Sequence, residues 1–193
     1  MRRPRRIPVL ILPLLAMVTT GCSLVSPDEG NVRVVLSAAD GASLTAAGDD
    51  DDDDRSGDGY FSRLESANVT FSSLLARNLD GELIDLDVDL PHTVDLVGLA
   101  GGHEVTFPAG TLPPGDYDQL VVVMTQLEAI FLDGGSIALT PPGGGWTAIV
   151  RVAPFSVVEG ETLTLDLKLR LGKAFRRLDG AFRFFPEFEG RSH

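Results

Sequence analysis

The chain is poor in the side chains that carry chemistry: one cysteine, three histidines, one tryptophan and two tyrosines in 193 residues. A single cysteine excludes an intramolecular disulfide, even in an oxidising compartment. His92, His103 and His193 stand apart, with no cysteine partner and no His-x-x-x-His or His-Glu-x-x-His spacing, so zinc is not expected. There is no Gly-x-Ser-x-Gly elbow, and Gly143-Gly144-Gly145 lacks the lysine and following helix of a phosphate loop. Asp85 and Asp87 could imitate a glycosidase pair, but an exposed polar row on a strand accounts for them more simply. Apolar residues at helical spacing do not persist for ten or more residues anywhere. Positive charge is scarce as well: 16 Lys and Arg face 28 Asp and Glu, for a net charge of −12.

A long hydrophobic run is also missing. The mostly apolar stretch from Ile7 to Val18 is interrupted by Pro8 and Pro13 and falls well short of the roughly 20 residues a membrane-spanning helix needs. Arg2, Arg3, Arg5 and Arg6 precede it, and small residues ending in Gly21-Cys22 follow. That is the layout of a signal peptide over residues 1–21, with Sec export expected. The run Val18-Thr19-Thr20-Gly21-Cys22 resembles the lipobox of bacterial lipoproteins, with Thr19 where leucine is usual. The resemblance implies cleavage before Cys22 and acylation of its thiol with palmitate-type chains. Each buried methylene then adds about 0.8 kcal/mol to membrane attachment. Ser23 resembles the outer-membrane sorting pattern, so the outer membrane rather than the inner is the expected address.

Cleavage there removes four arginines and no acids, leaving 16 − 4 = 12 basic residues against 28 acids, or −16. Such a field repels phosphate backbones and argues against nucleic acid as a partner. It also disfavours lying flat on anionic lipid, which leaves the lipid anchor as the membrane contact.

The mature chain reads as alternating strands. A polar tether over residues 22–31 leads into Val32, Val34 and Leu36, spaced by two. Residues 38–59 form an acidic, glycine-bearing loop expected to be solvated and disordered, since runs of like charge repel. Ala67, Val69 and Phe71 open a second strand that runs through Leu74-Leu75-Ala76 to a turn at Asn78-Leu79-Asp80-Gly81. Ile84, Leu86, Val88 and Leu90 alternate strictly with Asp85, Asp87 and Asp89, which predicts a strand with its aspartates in solvent. Further strands are predicted at 93–99, 104–107, 119–127, 136–140, 146–152, 162–169 and 181–185, with glycine and proline turns between nearly all of them. Many short strands separated by turns indicate an all-β, two-sheet sandwich over 32–190. The expected core is Phe107, Val121, Val123, Leu127, Trp146, Ile149, Leu163, Leu165, Leu167, Phe182 and Phe184.

Several strings resemble a family of bacterial lipoproteins known as domain of unknown function 4382. They are Val32-Arg33-Val34-Val35-Leu36, Ala67-Asn68-Val69-Thr70-Phe71, Thr93 through Leu99, Leu112-Pro113-Pro114-Gly115-Asp116-Tyr117, and Leu163-Thr164-Leu165-Asp166-Leu167. The resemblance implies a transthyretin-like or immunoglobulin-like sandwich in which Tyr117 packs at a strand start. It implies no catalysis. Near Ser37-Ala38-Ala39-Asp40 the sequence departs from the family and inserts its acidic loop, so any role of that loop is private to this chain.

One constellation has metal chemistry in it. Asp49 to Asp54 are consecutive aspartates, and counting from Asp54 gives the spacing of a twelve-residue calcium loop. Asp54, Ser56 and Asp58 hold positions one, three and five, Gly59 the sharp turn at six, and Tyr60 offers a carbonyl at seven. Ser62 and Glu65 fall at nine and twelve. Calcium takes six to eight hard oxygens, and these residues supply them; the simpler reading is a solvated loop.

The expected protein is therefore not an enzyme. It is a lipid-anchored envelope module, attached to the membrane through its N-terminal lipid, that binds or scaffolds an envelope protein or glycan. The alternative is a calcium-binding envelope module using residues 54–65, and a hydrolase comes third.

Overall fold

A computed structural model describes residues 29–39, 62–178 and 181–193. The fold is an all-β sandwich. Its first sheet is built around β1 (Gly30–Ala38), which pairs in parallel with β10 (Thr162–Leu169) along its whole length. β13 (Phe188–Ser192) flanks β10, and two short strands, β5 (Val105–Thr106) and β6 (Gly110–Leu112), share the other edge of β1. The second sheet is built on the antiparallel pair β2 (Leu64–Asn78) and β7 (Gly115–Phe131). Its edges are split too. β3 (Leu83–Asp85) and β4 (His92–Asp95) divide the free side of β2, while β8 (Ser136–Leu139) and β9 (Trp146–Val157) divide that of β7.

The two-residue period places one row of each strand inside. Val32, Val34 and Leu36 of β1 and Leu165, Leu167 and Leu169 of β10 face Val69, Phe71, Val122, Met124 and Val150 of the other sheet, all buried. Phe71 lies at the centre, edge-on to Phe107 at 5.2 Å between ring centroids and to Phe188 at 6.5 Å. β13 meets β9 closely enough that a Cβ on Gly190 would stand 2.8 Å from Val152 and 2.9 Å from Val150. The predicted turn after β2 forms as read: Gly81, at φ +87°, donates to the Asn78 carbonyl, and Glu82 N–H donates to the Asn78 side chain at 2.8 Å.

Four expectations change. The strict alternation at 84–90 pairs as a strand only through Asp85. Beyond it, Leu86 and Val88 stay buried and the aspartates stay exposed, but the backbone crosses between sheets. Leu86 N–H donates to Leu74 of β2, and its carbonyl accepts from Thr111 of β6, so one residue joins both sheets and no ladder can continue. Asp87, at φ +49°, makes the bend. The predicted strand at 93–99 breaks at Asp95, whose carboxylate accepts from Val97 and Gly98 N–H and caps a short helix, α1 (Leu96–Ala100). Ile149 is 64% exposed, because β9 turns Ala148, Val150 and Val152 inward; Val123, Trp146, Leu163 and Phe182 are half-buried rather than central. Finally, the chain after β10 forms α2 (Leu171–Ala174) and a separate two-stranded hairpin, β11 (Phe175–Leu178) and β12 (Ala181–Phe184), of which only the second strand was expected.

Candidate binding site

The β11–β12 hairpin stands off both sheets. Phe175 and Phe184 lie opposite each other in its ladder and turn inward, where Phe184 packs edge-on to Trp146 of β9 at 5.2 Å. Phe182 leans on Phe131 at the end of β7, 5.6 Å between centroids. Between the hairpin and the β7–β8 turn opens a groove of about 520 Å³, with Phe131, Ile137 and Phe182 along it and Leu132 at its lip, 69% exposed. Beneath, Leu64, Leu127, Leu139 and Phe175 continue the apolar lining into the sandwich. Arg63 stands at the rim and makes no ion pair among the described residues. Its carbonyl accepts the Leu132 N–H at 2.9 Å, which ties the start of β2 to the groove. Asp133 and Ser136 add the remaining polar edge. An apolar floor with few convergent polar groups can hold the hydrophobic part of a ligand and orient its polar part.

The outward face of the hairpin has a different character. Arg176 and Arg183 are directly opposite in the ladder and both are exposed, with Arg176 lying over the Phe185 ring at 5.7 Å. Glu187 reaches Arg176 at 3.4 Å. On the nearby face of the first sheet, Arg170 pairs with Glu189, and this ion pair holds the Glu189 carboxyl below its ordinary range. At the far end of the second sheet, Arg77 grips Asp118 in a bidentate pair at 2.8 and 2.9 Å. The hydrogen bond lowers the Asp118 pKa and raises that of Arg77.

Of the sequence-derived site residues, Cys22, Asp54, Ser56, Asp58 and Tyr60 lie outside the described residues. Ser62 sits in the turn before β2, and Glu65 is the second residue of that strand, exposed. Among the described residues no three of His, Cys, Asp or Glu gather as a metal-binding group. Nor is any helix among them long and apolar enough to cross a membrane. Arg63, Phe131, Ile137 and Phe175 were missed as groove residues. The visible signal was the alternation of aromatic and basic residues from Phe175 to Phe185, unusual in so acidic a chain.

The sequence profile of the family described as domain of unknown function (DUF4382) matches residues 58–181, more than half of the chain, and the chain belongs to that family. No curated protein matches it. Among solved structures it is similar to a leucine-rich repeat protein from Bacteroides thetaiotaomicron VPI-5482, at 15% identity and a TM-score of 0.30. That match covers 76% of this chain and only 14% of the other protein's length.

Proposed function

We propose that the chain is a lipid-anchored cell-envelope protein whose sandwich is a non-catalytic binding or structural module. The groove carries the binding part of the reading, because an apolar floor with a cation at its rim is displayed outside the core between two hairpins. The arginine-led leader and Gly21-Cys22 support export and acylation, with the outer membrane as the address and the acyl chains as the anchor. Tyr117 donates its hydroxyl to the carbonyl four residues upstream, which supports kinship with immunoglobulin-like sandwiches. An envelope protein or glycan is the partner class, and the chain's acidity disfavours nucleic acid.

The test has two arms. A palmitate analogue fed to the producing cells labels the wild-type chain, and Cys22→Ala loses both the label and the membrane fraction; a variant that stays membrane-bound would overturn the anchor. Separately, an environment-sensitive anionic naphthalene dye brightens on the purified chain and not on Ile137→Glu. Equal signals would remove the groove from the reading, and turnover on a panel of glycosides and esters would end the non-catalytic assignment.

A further inference from the structure

The groove between the hairpin and the β7–β8 turn has a second chamber behind it. Phe131, Ile137 and Phe182 line both the open groove of about 520 Å³ and an inner pocket of about 10 Å³. Every residue around the inner pocket is apolar, Leu64, Leu127 and Phe175 among them. A space that small, with no polar partner for water, stays dry. Phe182 is the movable part of the shared wall. On the same hairpin Phe175 and Phe184 face each other in the ladder, 4% and 3% exposed, and Phe184 is held against Trp146. Phe182, the second residue of β12, is half-buried, and its ring turns aside without parting that ladder.

We infer that the groove takes a free, single-chain alkyl carboxylate, a fatty acid, with its head on Arg63 and its tail running past Phe182 toward Phe175. This deepens the binding reading of the groove and rests on it. Charge argues for the head. Arg63 is the one cation lining the groove, is exposed and makes no ion pair among the described residues. The acid on the same rim, Asp133, accepts the Gly135 N–H at 2.9 Å within its own turn. A guanidinium fork matches one planar carboxylate, whereas a more highly charged head would meet Asp133 with no second cation to offset it. Shape argues for the tail. Turning Phe182 vacates the space of one ring beside Phe131, enough for one alkyl chain and not two, so the second chain of a bilayer lipid would stay in water.

Calorimetry of the purified full chain with octanoate, decanoate, dodecanoate and dodecanol tests the assignment. We expect affinity to rise by up to about fourfold per methylene. Dodecanoate should bind about fivefold tighter than dodecanol, the scale of one exposed ion pair. In Arg63→Gln that preference vanishes while dodecanol binding is unchanged. No preference in the parent, or one that survives in Arg63→Gln, overturns the head placement.

The direction of the tail is read without any substitution. Trp146, the chain's one tryptophan, packs on Phe184, whose ring lies 5.3 Å from that of Phe175. Arg63 stands at the other end, since Trp146 pairs with Met124 and Leu64 with Phe131, about 23 Å further along β7. Bromine is a short-range quencher of tryptophan, so at equal occupancy ω-bromododecanoate dims Trp146 and α-bromododecanoate does not. Equal quenching, or the reverse order, overturns the tail's path. Dodecanoate that leaves the naphthalene dye in place, on a chain that binds the dye, overturns the inference and leaves the groove standing. Displacement of the dye by phosphatidylglycerol vesicles alone, or by an uncharged apolar peptide alone, does the same. A chain that binds neither dye nor fatty acid loses the groove and this inference together.

Discussion

Tyr117 donates its hydroxyl to the carbonyl of Pro113 at 2.8 Å, closing a five-residue corner at the start of the longest strand while its ring stacks on Phe155 at 5.5 Å. The ring is 1% exposed, and burial, followed by the charge of Glu82, pushes the phenol above its ordinary pKa. The corner fixes where β7 enters the sandwich, so the phenol acts through both a hydrogen bond and packing. Tyr117→Phe keeps the packing and is expected to cost about 1 kcal/mol, whereas Tyr117→Ala also opens a cavity and costs about 3 to 5 kcal/mol. Urea unfolding followed by tryptophan fluorescence measures both. Equal costs for the two substitutions would show that the hydroxyl contributes nothing.

Acid acts on the bond between Arg77 and Asp118. The Asp118 pKa is lowered in the folded state, chiefly by its hydrogen bonds to Arg77, so the stability it supplies is complete above the ordinary aspartate value of about 4. That stability is lost as pH falls through the lowered folded value, because protonation then costs more in the native state than in the unfolded one. The gap in urea midpoint between the wild type and Asp118→Asn is therefore constant from pH 7 to about 5 and narrows below about 4. Midpoints collected across that range check the sign; a gap that widens on acidification contradicts it.

Close packing at the sheet crossing sets a third expectation. A Cβ on Gly110 would fall on the Leu86 carbonyl and stand 2.7 Å from Val88, and that carbonyl already accepts the Thr111 N–H at 2.8 Å. Gly110→Ala must move backbone that links both sheets and should cost about 1 to 3 kcal/mol, with Thr111 amide exchange accelerated. Gly134→Ala is a useful contrast. Its Cβ meets nothing within 4 Å, and the cost, about 1 kcal/mol, comes from its φ of +83° alone. Hydrogen exchange at Thr111 separates the two, since only the first substitution disturbs it.

These relationships explain what could be read from residue order. Alternation at Val32-Val34-Leu36 and Leu163-Leu165-Leu167 identified the strands that pair as β1 and β10, because a strand with one buried face must repeat every second residue. The same rule overreached at Ile84 to Leu90. Burial alternates there as expected, but ladder pairing depends on which backbone lies alongside, and Leu86 finds one sheet on each side. Ile149 was misplaced for a related reason: Ala148, Ile149 and Val150 are apolar in succession, so composition alone did not choose between Ile149 and Val150 for the inward row. The groove depends on contacts between Phe131 and Phe182, 51 residues apart, and no local pattern encodes such a meeting. Tyr117 is the opposite case, a local motif whose partner lies four residues away.

The calcium reading of residues 54–65 makes a quantitative expectation. Its twelfth position, Glu65, lies on β2 with its side chain exposed, so a bidentate carboxylate would be held on a rigid strand while the first ligands come from the segment before it. Calorimetry on the full chain should give a weak site, with a dissociation constant on the order of 10⁻⁴ to 10⁻³ M, that vanishes in Asp54→Ala/Glu65→Ala. Equal heats in the two proteins dismiss the site.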